Sequence, residues 1–185
     1  ISSSVLEGHK LNPIVIGDSK TSDESSFNGI EYYIFGGSFS LSDKSLDSLV
    51  DSLAEDNKNV ALIGEGQQFD YKNTEATAFI DKLSGYSFVS GIVLNVSMEI
   101  DEATSDKNYA GLVSELSDQA IVYASQVKGT IEIGSYIEEA GQDEDGNQTE
   151  VNVSSNPANV SGLVGTMSGG KIFDCSTAVD ITYRA

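Results

Sequence analysis

Residues 138–150 read EEAGQDEDGNQTE, a run rich in carboxylates with no basic side chain. Asp143, Asp145 and Asn147 stand at alternate positions, the spacing at which hard oxygen ligands of a calcium loop converge on one ion. Glu150 adds a further carboxylate, and the four residues together are the candidate calcium site of the chain. The fit is incomplete, because Gly146 falls at the fourth place of such a loop where a glycine belongs at the sixth, and no glutamate occupies the twelfth. The same residues also suit a solvated hairpin tip, with Asp145-Gly146 turning the chain between YIEEAGQ and TEVNVSS. Asp18, Asp23 and Glu24 form a weaker acidic group of this kind, as do Asp101, Glu102 and Asp106.

Other chemistry is thinly represented. His9 is the single histidine and has no cysteine or carboxylate cluster at ligand spacing, which speaks against a zinc site or a Ser-His-Asp triad. Gly64-x-Gly66 and Gly36-Gly37 lack the rest of a dinucleotide or Walker phrase and read as turns. Cys175 is alone, so it cannot close an internal disulfide; among Phe173, Ser176 and Ala178 it reads as a small buried hydrophobe. Four N-glycosylation acceptor patterns begin at Asn95, Asn147, Asn152 and Asn159, as expected by chance in a chain rich in Asn and Ser.

Charge narrows the partners. Ten basic against 29 acidic residues give a net charge of −19, which repels nucleic acid and anionic lipid. The nine lysines and Arg184 are scattered singly, so no basic patch offsets this. No apolar run approaches the roughly 20 residues needed to span a bilayer, so neither nucleic acid nor membrane insertion is expected. Opening at ISSSVLEG and closing in DITYRA, the sequence reads as a piece of a longer chain whose export signal lies elsewhere.

The elements that would carry any site follow from periodicity. Residues 1–59 form an N-terminal, partly irregular capping segment, with short strands at Ile14-Val15-Ile16 and in IEYYIFGGSFSLS. Ser42 as N-cap, Asp43 in the first turn, and Leu46, Leu49, Val50 and Leu53 at helical spacing predict one short amphipathic helix over residues 43–55. From residue 60 the chain is strand-like and repetitive. Copies open at Ala78, Gly111 and Gly162, so gapless alignment puts Leu83, Leu116 and Met167 in one column. Ser84, Ser117 and Ser168 form the next column, and Phe88, Ile121 and Ile172 a later one. Each copy ends in an alternating strand: Leu94, Val96, Met98 and Ile100; then Val127, Gly129, Ile131 and Ile133; then Val179, Ile181 and Tyr183, shifted by one residue. Such copies suit an all-β solenoid of about three to five coils, in which each coil buries its inner face against the next. The alternative is an antiparallel β-sandwich. Residues 134–158 are then an acidic loop inserted between coils.

Gly162-Leu163-Val164-Gly165, followed by Ser168-Gly169-Gly170-Lys171-Ile172 and Cys175, resembles the GLUG motif, a short repeat of bacterial surface and secreted proteins. Gly111 to Ser117 is similar with Ser114 at the second glycine, and Ala78 to Gly85 is weaker. Gly64-Glu65-Gly66-Gln67-Gln68-Phe69 resembles the phrase that often precedes such arrays. The resemblance covers roughly residues 60 to 184 and implies a right-handed parallel β-helix of the kind found in adhesins and beside the protease domain of immunoglobulin A peptidases. In those settings the motif is structural, so it assigns no catalytic residue.

The reading is a non-catalytic adhesion or stalk module of a larger exported bacterial protein, located outside the cell or on its surface. Its expected partners are a host or environmental glycan or protein ligand and flanking domains of the same polypeptide. One alternative is a structural subunit of a surface fibre. Another is a carbohydrate-active β-helix enzyme or carbohydrate-binding module. Trp is absent, but Tyr32, Tyr33, Tyr71, Tyr86 and Tyr123 could serve as sugar-stacking platforms.

Overall fold

Short β-branched and aromatic segments separated by small turn residues set the element lengths. The computed structural model describes residues 14–17, 26–27, 30–36, 40–48, 59–137, 154–155 and 157–184. The chain opens with β1 (Ile14–Gly17), β2 (Ser26–Phe27), β3 (Ile30–Gly36) and β4 (Ser40–Ser42), followed by a 3-10 turn at Leu46–Ser48. The next unit is β5 (Asn59–Ile63), β6 (Gln68–Asn73) and β7 (Ile80–Leu83). After it come β8 (Phe88–Ser90), β9 (Val93–Ala103), β10 (Asn108–Ala110) and β11 (Val113–Leu116). A further unit holds β12 (Ile121–Tyr123), β13 (Gln126–Ile137), β14 (Ser154–Ser155), β15 (Asn159–Ser161) and β16 (Val164–Met167), and β17 (Lys171–Phe173) and β18 (Ser176–Arg184) come last.

Apart from β2 and β14, the strands pair in parallel with their counterparts in neighbouring units. One sheet has the order β1-β3-β5-β8-β12-β17, with β2 on β3; a second runs β4-β6-β9-β13-β18; a third runs β7-β11-β16; and β10 pairs with β15. Antiparallel pairing is confined to β2 with β3 and β13 with β14 among the described residues. The protein is thus all-β with parallel sheets, and the antiparallel sandwich does not fit. The ladder passes unbroken from β1 through β3 to β5, so strands of the first third belong to the same sheet as the repeats.

Sequence columns and strand register agree at Ile80, Val113 and Val164 and at Leu83, Leu116 and Met167. They part company at the next strand. Ile121 lies opposite Phe88 and Lys171, so Ile172 belongs with Val89 and Val122. The cause is a turn one residue shorter in the last copy, where Gly170, at a φ of 83°, brings the chain round early and donates its N–H to Asp118 O at 2.8 Å. That shortening also restores Val179, Ile181 and Tyr183 to the places opposite Gly129, Ile131 and Ile133.

The core runs along the stack as columns of inward residues. Leu62, Val89 and Val122 form one, Phe69, Leu94 and Val127 a second, and Met98 and Ile131 continue a third; all are buried. The third begins with a polar residue, Asn73, which shares the ladder with Met98. It is fully buried, and its side chain closes the turn after β6 by accepting from the backbone N–H groups of Glu75 and Ala76.

The α-helix expected over residues 43–55 is not formed by its described part. Asp43 sits at a φ of 56°, in the left-handed region, which is incompatible with a first helical turn. Leu46 is instead buried over the end of the third sheet, donating its N–H to Phe79 O at 2.6 Å. Residues 49–58, including Leu49, Val50 and Leu53, lie outside the described residues. The described strand β13 runs on to Ile137 before the inserted segment, and its end pairs with β14 through Tyr136↔Ser155 and Ile137↔Ser154.

Candidate binding surfaces

Asp143, Asp145, Asn147 and Glu150 lie outside the described residues, as do Glu138, Glu139, His9, Asp18, Asp23 and Glu24. Among the described residues no group of three or more His, Cys, Asp or Glu side chains could hold a metal ion. Of the third acidic group, Asp101 is bound by Arg184 at 2.8 Å, while Glu102 and Asp106 are exposed around the turn from β9 to β10.

That turn borders a concave surface. Three neighbouring hollows of about 410, 210 and 230 Å³ lie along the corner, and Lys107 lines all three. Glu75, Asp81, Asp101, Glu102, Asp106 and Glu115 contribute carboxylates to one or more of them. Two of these are already committed: Asp81 accepts from the Thr77 hydroxyl, and Asp101 accepts from Arg184. Asp47 lies just behind, accepting from the N–H groups of Asp81 at 2.8 Å and Lys82 at 3.3 Å. Burial raises its carboxyl above the ordinary range, an effect those N–H donors oppose. The Asp47 carboxylate and Leu46 together close the outer edge of β7.

Arg184 organises a second charged surface. Glu99 and Glu132 are outward neighbours on β9 and β13, and like charges directly opposite each other repel. Arg184, at the end of β18, reaches both, at 3.3 Å to Glu99 and 3.7 Å to Glu132, as well as Asp101. Gly134 lies opposite Arg184 on the intervening strand, and the lack of a side chain there leaves the guanidinium a lane to β9. A Cβ at Gly134 would come within 2.5 Å of Asp101 O.

The third surface is aromatic. Tyr71 is not available to a ligand, contrary to the sequence reading: it is 1% exposed, stacks edge-on to Phe79, and donates its hydroxyl to backbone carbonyls of Lys44 and Ala78. Burial, with Asp43, Asp47 and Asp81 nearby, pushes the phenol far up, so it remains a proton donor. The side chains of Tyr32 and Tyr33 lie outside the described residues. Tyr86 and Tyr123 are exposed, at 68% and 44%. Phe173, which sequence reasoning passed over, is exposed beside Tyr123 in the same row of the first sheet. Its signal was its place next to the inward Ile172, which turns it outward by alternation.

The Gly64-x-Gly66 phrase and the repeat glycines are structural, while Gly37 of the Gly36-Gly37 phrase lies outside the described residues. In the Gly64 to Gln67 turn, Gly64 N–H is taken by Ser90 O, Gly66 N–H by Gly91 O and Gln67 N–H by Gly64 O, so these donors do not face a phosphate. At the start of the repeats a Cβ on Gly111 would lie 2.3 Å from Gly162 O, and one on Gly162 would lie 2.1 Å from Thr177 Oγ1. Glycine is needed at Gly111 because the next unit meets it there, and at Gly162 because side chains of β18 in the same unit pack against it. Cys175 is half-buried against the core, with its Sγ 3.0 Å from Phe173 O. No helix among the described residues is long and apolar enough to cross a membrane.

Comparison of the chain with protein-family models, with curated proteins and with solved structures finds no match.

Proposed function

We propose that this chain is a non-catalytic, right-handed parallel β-helix module of the GLUG type, serving as an adhesive surface or stalk in a larger exported bacterial protein. The observation that carries the reading is the unit-by-unit parallel register, in which three sheets grow by one strand per repeat over residues 59–184. Such a stack presents long flat faces and holds its ends far apart, as a stalk or display surface requires. Right-handedness follows from the general rule for parallel crossover connections. The ligand face is the row holding Tyr123 and Phe173, since exposed aromatic rings offer apolar area to a glycan or protein.

Glycan and host-protein arrays test the proposal. The expected result is binding without turnover, weakened roughly tenfold or more when Tyr123 and Phe173 are both changed to Ala. Release of reducing ends or unsaturated products from acidic polysaccharides would replace it with the carbohydrate-active reading, and concentration-dependent filaments would replace it with the fibre subunit.

The acidic insertion is proposed to bind calcium through Asp143, Asp145, Asn147 and Glu150. A ligand that binds only the native state must raise the melting midpoint, by an amount set by its concentration over its dissociation constant. A thermal melt in millimolar calcium, repeated with chelator, should therefore show a higher midpoint with the metal. Coincident curves would leave the segment as a solvated hairpin.

A further inference from the structure

The corner after the second sheet holds polar groups that the fold leaves unused. The largest of its three hollows, about 410 Å³, falls within the roughly 300–1,000 Å³ of small-molecule sites. Ile100 and Tyr109, 3% and 2% exposed, give it an apolar floor. Thr74 and Asp101 on its wall are committed, the first donating its hydroxyl to Asp43 and the second accepting from Arg184. Glu75, Glu102 and Lys107 are exposed on the same wall, and their side chains form no hydrogen bond or ion pair with any described residue. The phenol of Tyr109 is only half used. Its oxygen accepts from the Thr104 N–H at 3.4 Å, a long contact, and its own proton meets no acceptor among the described residues. Buried hydroxyls ordinarily place their proton on a partner, so this donor is open to a ligand.

We propose that this hollow binds an uncharged sugar unit of a glycan. Glu75 and Glu102 offer acceptors, the Lys107 ammonium and the Tyr109 hydroxyl offer donors, and a ligand hydroxyl can both donate and accept. Charge disfavours the alternatives. With Asp101 neutralised by Arg184, an anionic sugar would be repelled by Glu75 and Glu102 and a cationic one by Lys107. A metal ion is disfavoured as well, since no described group of three or more ligating side chains could hold one. The apolar floor of Ile100 and Tyr109 suits the C–H groups of a sugar ring. Lys107 also lines the two adjoining hollows, which share Thr77 and Asp81, so the surface continues past the first sugar and fits an oligosaccharide. The aromatic row lies on the first sheet, away from this corner, so the two sites stand or fall independently.

The probe is a panel of neutral oligosaccharides, namely glucans, mannans, xylans and galactans, set beside uronate-bearing, sulfated and amine-bearing ones. The tightest binder is then titrated calorimetrically into the full chain. A neutral oligosaccharide should bind, with an affinity that does not move between low and high salt. Lys107→Ala and Glu102→Gln should each weaken it about tenfold or more. Tyr109→Phe, which removes only the hydroxyl, should weaken it too, while Lys128→Ala, on the outer face of β13, should leave it unchanged. Glu102 and Lys107 are exposed, and unchanged far-ultraviolet circular dichroism would confirm that their variants keep the fold. The proposal is overturned if no neutral oligosaccharide binds, if binding belongs to a charged one and falls with salt, or if Lys107→Ala and Glu102→Gln both bind as the parent does. Loss of binding on changing Tyr123 and Phe173 to Ala, with the corner variants unaffected, would place the glycan on the aromatic row, overturning this site and leaving the proposed function intact.

Discussion

Gly129→Ala should lower the unfolding free energy by about 3 kcal/mol or more, among the largest effects available to a single methyl group in this chain. Gly129 lies inside β13 at an inward position, with a φ of 121°, a conformation essentially closed to residues with a side chain. Space is equally unforgiving, since the added Cβ would stand 2.0 Å from Val96 O on the neighbouring strand. Relief would require β9 and β13 to part or β13 to rotate out of register, and either motion disturbs the columns of Val127, Ile131 and Ile133. Denaturant unfolding followed by circular dichroism measures the loss. A change below about 1 kcal/mol would show that the backbone at 129 relaxes without cost.

The second large effect is expected at Asn73→Ala, about 3 kcal/mol. The side chain accepts from Glu75 N at 3.0 Å and Ala76 N at 2.7 Å and donates to Ala76 O at 2.5 Å, all from a position with no solvent exposure. Alanine would strand the two N–H groups and the carbonyl of a tight turn, and it would leave a cavity beside Met98 and Tyr71. Asn73→Asp separates the causes, because its protonated carboxyl keeps both acceptor contacts and one O–H donor in place of the amide N–H, whereas its ionised carboxylate cannot donate to Ala76 O. It should melt near the parent at a pH where its carboxyl is neutral, and fall toward or below Asn73→Ala as the carboxyl ionises. Equal melting of all three proteins would mean that the turn is held by its backbone alone.

How much of this was legible in the sequence depends on the range of the cause. Period-two alternation and recurrence of Leu83, Leu116 and Met167 were enough to predict strands that stack unit on unit, because each inward column must be apolar. The shortened turn before Lys171 was not legible in a gapless alignment, since the missing residue is revealed only by which strand position meets Val122. Tyr71 was misread as a ligand platform because its parity partner inside the core is Asn73, whose polarity hides the inward face of QFDYKN. Leu46 keeps helical spacing with the leucines after it, yet its contact is with Phe79, on a neighbouring unit. Arg184 could not be assigned at all, since its partners lie 52 to 85 residues away and converge only through the sheet. The first third carried least signal, yet its strands continue the first sheet.

The reach of Arg184 also bears on how the stack comes apart. In a linear array of repeats, neighbours ordinarily separate one at a time from an open end. Here the side chain of the last strand passes over β13 and holds carboxylates on β9, so lifting β18 breaks contacts with two units at once. Each exposed ion pair contributes little alone. Together they tie the final strand to the two before it, so that lifting β18 from the end of the array costs more than parting its ladder with β13 alone.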